Sequence, residues 1–143
     1  MQIGKDYIGV GCGAFILNDK GELLLQKRNK APEKGYWCIP GGRVEMFETF
    51  AQAVKREVKE ETDLDVEIVR LNGLCDHIVD IEGEDKVHWV TPSYVCEVVS
   101  GVPKIMEPTK HLDMKWFSLE DLPEHITITT KKALSDFKES SKK

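Results

Sequence analysis

The sequence predicts an α/β fold of the α+β type, a mixed β-sheet with helices on both faces. Three observations predict it: a hairpin pattern opens the chain, one amphipathic helix follows at 47–62, and β-branched segments then run on to a short closing helix. With 143 residues, 41% hydrophobic and 31% charged, the chain has the make-up of one domain over residues 1–143, able to bury about 70% of its unfolded surface.

Residues 7–17 read as a strand, Asn18, Asp19, Lys20 and Gly21 as a tight reversal, and 22–27 as the hairpin partner. Residues 29–46 carry Pro32, Gly35, Pro40, Gly41 and Gly42, too many breakers for a regular element except a short strand near Trp37. From 47 to 62, Phe47, Phe50, Ala51, Val54 and Val58 recur at helical spacing, which puts one face of a helix on the core. Segments 66–79, 87–99 and 114–117 read as strands. Ser118 with Asp121 three residues on looks like the start of a helical turn, residues 130–137 like the closing helix, and 141–143 like a fraying tail.

The formal charge of −5 excludes a general phosphate-backbone binder, so no nucleic-acid partner is expected. No apolar segment approaches the roughly 20 residues that span a bilayer. No basic start leads into an apolar run either, so neither a membrane partner nor a targeting segment is expected. Cys12, Cys38, Cys75 and Cys96 show no CxxC spacing and mostly sit in apolar runs, the pattern of buried, reduced thiols in a cytoplasmic protein. The apolar first strand offers a surface for a homodimer.

Residues 55–63, KREVKEETD, pose a chemical question. Glu57, Glu60 and Glu61 fall within an arc of roughly 100° on one helix, where like charges repel. Hard divalent cations such as Mg²⁺ or Mn²⁺ prefer carboxylate oxygens and are commonly shared with substrate phosphates, so the three acids read as a metal cradle. A solvated acidic face is the bland alternative for such a cluster on its own. Just upstream, Pro40, Gly41 and Gly42 free the backbone for close approach to a ligand, or to the metal through a carbonyl oxygen. On its own a Pro-Gly-Gly loop is more often just a turn.

Residues 9–14, GVGCGA, satisfy a loose dinucleotide-binding pattern. The context refuses it, because no strand precedes Gly9 and a hairpin follows instead of a helix.

Taken together, Gly42, five residues, Glu48, seven residues and then Arg56, Glu57, Val58, Lys59, Glu60, Glu61 closely resemble the Nudix box, the signature of hydrolases that cleave nucleoside diphosphates linked to another group. One position departs: Asp63 stands where the pattern has glycine at the helix end, a left-handed position that Asp tolerates. The resemblance extends to the preceding hairpin and to WFSLEDLP at 116–123. It implies a Nudix α/β/α sandwich with a catalytic loop and helix.

It further implies that Glu57, Glu60 and Glu61 hold Mg²⁺ or Mn²⁺, with the Gly42 carbonyl completing the coordination. Glu57 would orient or deprotonate water, Arg56 would position Glu57 or pair with Glu60, and Glu48 would support them. Non-catalytic Nudix-like sensors are expected to lose box carboxylates, and this chain keeps them all.

The substrate implied is a small nucleotide. Relatives acting on ADP-ribose usually carry a proline, and those acting on dinucleoside polyphosphates a tyrosine, about fifteen to seventeen residues after the box; positions 79–82 read VDIE and carry neither. Residues 88–98 and 106–123 instead resemble MutT-like enzymes acting on nucleoside triphosphates. In those relatives a further glutamate often falls where this chain has Leu112, and Glu107 and Asp113 both lie near. Arg28 is placed to reach phosphates, Gly41 to approach the ligand, and Trp37 or Trp89 to stack a base. His88 and His111 have no partner at metal spacing in the sequence and read as ordinary core or surface residues.

Overall fold

The structure, a computed structural model, describes residues 1–142. Strand β1 (Gly9–Leu17) turns at Asn18, whose side-chain oxygen accepts from the Lys20 and Glu22 amides, into β2 (Leu23–Arg28). Gly21 takes a positive φ of 75°, which completes the reversal. The strands part early: β2 pairs with β1 at Leu17 and Leu23, but along its length with β7 (His111–Phe117).

The breaker-rich segment holds two short strands, not one. Besides β3 (Trp37–Cys38), residues Gly41–Arg43 form β4 against β1. A Cβ on Gly41 would lie 2.2 Å from the Cys12 carbonyl oxygen, so glycine is what lets this strand close on β1. The sequence GVGCGA lies inside β1, not in a phosphate-binding turn.

Helix α1 (Phe50–Thr62) begins three residues later than the apolar spacing predicts. Thr49 and Gln52 close a capping box there, a device worth about 1 kcal/mol. Phe47 sits outside the helix with φ 70° and is almost fully exposed, and Ala51 is exposed too; Ala53, Val54 and Val58 make the buried face. Asp63 ends the helix in the left-handed conformation, φ 65°, its amide returning to the Lys59 carbonyl.

Strands β5 (Asp65–Val79) and β6 (Val87–Ser100) pair antiparallel, and β6 runs parallel to β1, so the sheet is mixed with order β3-β2-β1-β6-β5. Residues 118–121 make a single turn and no helix, since Pro123 follows too closely for one to form. Helix α2 (Ile128–Ser141), capped by Thr127, is longer than expected at both ends. Ser141 is its last residue, Lys142 caps it, and Lys143 lies outside the described residues.

Side-chain alternation divides the core. Cys12, Ala14, Ile16 and Leu24 face Val54 and Val58 of α1, while Phe15, Leu23 and Leu25 face Ala133 and Phe137 of α2. The helices therefore cover opposite faces of the sheet. All four cysteines are free and buried. Among the described residues no helix is long and apolar enough to cross a membrane.

Candidate active site

Helix α1 and strand β4 build one end of a cleft of about 670 Å³. The Glu57 carboxylate lies against Gly42 so closely that a Cβ there would come within 2.5 Å of it. Beside it, the Gly41 amide donates to Glu61 Oε1 at 2.9 Å. Gly41 borders the cleft as expected, yet its N–H is committed to Glu61 and so holds a carboxylate in place.

Arg56 organises the acids around it. Its Nε and Nη2 donate to both oxygens of Glu48 at 2.6 and 2.8 Å, its Nη1 to Glu57 at 2.8 Å and to Glu60 at 3.3 Å, and its Nη2 also to the Arg43 carbonyl at 3.0 Å. The two pairings weighed for Arg56 thus occur together. Arg56 holds the Glu48 carboxyl down to about 2, helped by the Glu45 amide. Burial pushes Glu57 above its ordinary value against the pull of Arg56.

Glu61 is the most strained acid of the group. Burial first, then the charges of Glu57 and Glu107, push its carboxyl up to about 8, with the Gly41 amide opposing. Glu107 is thus the acid that the loop before β7 brings to the cleft. Asp113 accepts from the Met114 amide and pairs with Lys115, away from the cleft walls.

His111, read from sequence as an ordinary residue, joins this group. Donor atoms of Glu61, Glu107 and His111 all lie within 4.8 Å of one another, and His111 Nε2 is 3.9 Å from Glu61 Oε2. Its Nδ1 is buried with no hydrogen-bond partner, and burial lowers its pKa. No sequence spacing could have found it, since β7 and α1 meet only in the folded chain.

This donor set fits a divalent ion. Oxygen donors predominate, a buried acid lacks a counter-charge strong enough to ionise it, and a glycine cradle keeps Glu57 against the loop. Lys110, 3.1 Å from Glu107, is the nearby cation on the β7 side.

Elsewhere the expectations divide. Arg28 borders the cleft, with Nε donating to the Pro32 carbonyl at 2.9 Å. Trp37 does not: its ring stands edge-on to Phe117 at 5.0 Å under Lys115, in the core beside α2. The reason is alternation, since on a two-residue strand Cys38 takes the cleft side. Trp89 does border the cleft, packed on the backbone of Gly4 and Gly9. Trp116 packs against the α1 core.

The far end of the cleft was not anticipated. Glu33 accepts from the Ile128 amide at 2.9 Å and faces His77 Nε2 at 3.9 Å. His77 Nε2 and Asp136 Oδ2 are buried without partners. A Cβ on Gly73 would strike the Asp136 carboxylate, so this glycine makes room for it. Positive φ at Glu33 and contacts from three distant segments leave no signature in the sequence.

A loop and helix of this geometry on a mixed sheet define a class. The NUDIX domain model matches residues 8–137, and the chain belongs to the Nudix hydrolase family, enzymes that act on phosphoanhydride bonds and generally use a divalent metal. A MutT NUDIX hydrolase from Burkholderia pseudomallei shares 43% identity and superposes with a TM-score of 0.83, covering 92% of this chain and 98% of that one. An ADP-ribose pyrophosphatase of Methanocaldococcus jannaschii is 30% identical over 122 residues, 85% of this chain and 69% of that protein. A Bacillus subtilis protein provisionally named 8-oxo-dGTP diphosphatase is 30% identical over 128 residues, 88% of this chain and 78% of that protein. Some relatives are longer: the match spans only 34% of a Caenorhabditis elegans relative that is 33% identical.

Proposed function

We propose that this chain is a pyrophosphohydrolase, dependent on Mg²⁺ or Mn²⁺, that splits a nucleoside or deoxynucleoside triphosphate into a monophosphate and pyrophosphate. The observation that carries hydrolysis is the line of hydrogen bonds from Glu48 through Arg56 to Glu57, ending at the cleft. Glu48 anchors the guanidinium, the guanidinium fixes the Glu57 carboxylate, and Glu57 orients the attacking water and takes its proton. Glu57, Glu60 and Glu61, with the Gly42 carbonyl, would hold the ion. Bound there, a divalent ion would neutralise the charge of adjacent phosphates and make water easier to deprotonate. Arg28, which lines the same cleft, would meet the phosphates.

The cleft volume falls within the usual range of about 300–1,000 Å³ for small-molecule sites, so the base and sugar fit beyond the acids, toward Glu33, His77 and Asp136. Triphosphate is favoured by the MutT-like segment before and through β7 and by similarity to the Bacillus protein. Similarity to the archaeal ADP-ribose pyrophosphatase favours ADP-ribose or a nucleotide sugar as the second reading.

The test is turnover of nucleoside triphosphates, ADP-ribose and nucleotide sugars with Mg²⁺ or Mn²⁺. Triphosphates turning over fastest is the expected result. Faster ADP-ribose turnover selects the second reading, and inertness toward every compound reduces the domain to a nucleotide-binding module.

A further inference from the structure

Among the described residues, one buried imidazole stands beside the acids with no polar partner. The His111 side chain is 8% exposed, as is Glu61, and its Nδ1 is buried with no hydrogen-bond partner, while its Nε2 faces Glu61. Buried polar atoms are nearly always paired, so a ring held this way points to a partner at the nitrogen it turns toward the acids, Nε2. The geometry identifies that partner's kind. At 3.9 Å, His111 Nε2 and Glu61 Oε2 are too far apart to hydrogen-bond. Two donors each about 2.0–2.2 Å from one ion lie roughly 3 to 4.2 Å apart, and 3.9 Å falls in that interval.

Glu107 closes the triangle from the loop before β7, and Lys110 pairs with it at 3.1 Å. An ion-paired imidazolium is the rival account. At 3.9 Å such a pair would be a charge contact without the hydrogen bond that a buried ion pair needs to offset its desolvation.

We propose that His111 is a direct nitrogen ligand, with Glu61 and Glu107, to a divalent ion in this cleft, and that it tunes the protein toward Mn²⁺ or another transition ion over Mg²⁺. Imidazole suits transition metals, whereas Mg²⁺ prefers a shell of oxygens alone. The inference rests on the metal-dependent reading above and refines which ion that reading requires.

The experiment uses the full chain titrated with Mn²⁺ and examined by electron paramagnetic resonance, with spin-echo modulation reporting nitrogen bound to manganese. The wild type is expected to show a ¹⁴N coupling typical of a ligated imidazole. His111→Gln, confirmed folded by circular dichroism, should lose that coupling, and its Mn²⁺-over-Mg²⁺ preference should drop about tenfold or more. Glu107→Gln should bind Mn²⁺ more weakly but keep the nitrogen signal, which separates loss of a ligand from loss of structure. Bound Mn²⁺ with no nitrogen coupling in the wild type overturns the His111 assignment and leaves the hydrolase reading intact. Failure to bind Mn²⁺ at all, with or without a non-hydrolysable nucleotide, overturns both.

Discussion

Arg56 makes five hydrogen bonds from one guanidinium, and that fork is what turns separate glutamates into a site. Lysine offers a single compact charge and cannot span Glu48, Glu57 and Glu60 together. Arg56→Lys is therefore expected to lower turnover by about a hundredfold with little change in melting temperature, as misplacing a catalytic group does. Steady-state kinetics beside a thermal melt check it. Glu57→Gln keeps the shape of the side chain but removes the base and a metal charge, so turnover should fall on the order of a hundredfold or more while the helix persists. Unchanged turnover in that variant would remove Glu57 from the mechanism.

Glu61 makes a pH prediction. Its folded carboxyl titrates near 8 and its unfolded one near 4.5, so between those values the folded chain holds a proton that the unfolded chain releases. Stability from this group is full below 4.5, declines as pH rises, and is gone above about 8. The metal-free protein should melt at progressively lower temperature across that window, and Glu61→Gln should flatten the slope. Added divalent metal should reverse it, because the ion binds only the ionised acid and expels the proton. The box acids were legible because one helix carries them at fixed spacing. His111, Glu33 and Asp136 were not, because strand pairing and helix packing bring them in from remote segments.

At the scale of elements, Asp63 shows how far local rules reach. The sequence places it at a left-handed helix end, and its φ of 65° agrees. Asp63→Gly relieves the Cβ and gives up only exposed pairings with Lys59 and Lys104, so it should raise stability by up to about 1 kcal/mol. Asp63→Ala should lower it, since Ala brings a Cβ without a polar side chain to compensate. Chemical denaturation of the two variants decides between gain and loss. Strands β5 and β6 were legible from their apolar β-branched runs. Strand β4 was hidden, because its three residues become a strand only through pairing with β1, and a Pro-Gly-Gly run carries no strand propensity. The start of α1 was misplaced because Phe47 matches the helical period but lies beyond the Thr49 cap.

For the whole molecule, a net charge of −5 and a cluster of acids repel a polyphosphate until a divalent ion stands between them. Hydrolysis must therefore occur at an internal anhydride of the metal-bridged phosphate chain and not at its terminal phosphoryl group. The measurement that tests this most directly is phosphorus NMR of a nucleoside triphosphate digested in ¹⁸O-enriched water with Mn²⁺ or Mg²⁺ and no added pyrophosphatase. Nucleoside monophosphate and pyrophosphate are expected as the primary products, with a single ¹⁸O in one of them and no reaction of a monophosphate. Orthophosphate and a nucleoside diphosphate as the primary products would contradict it.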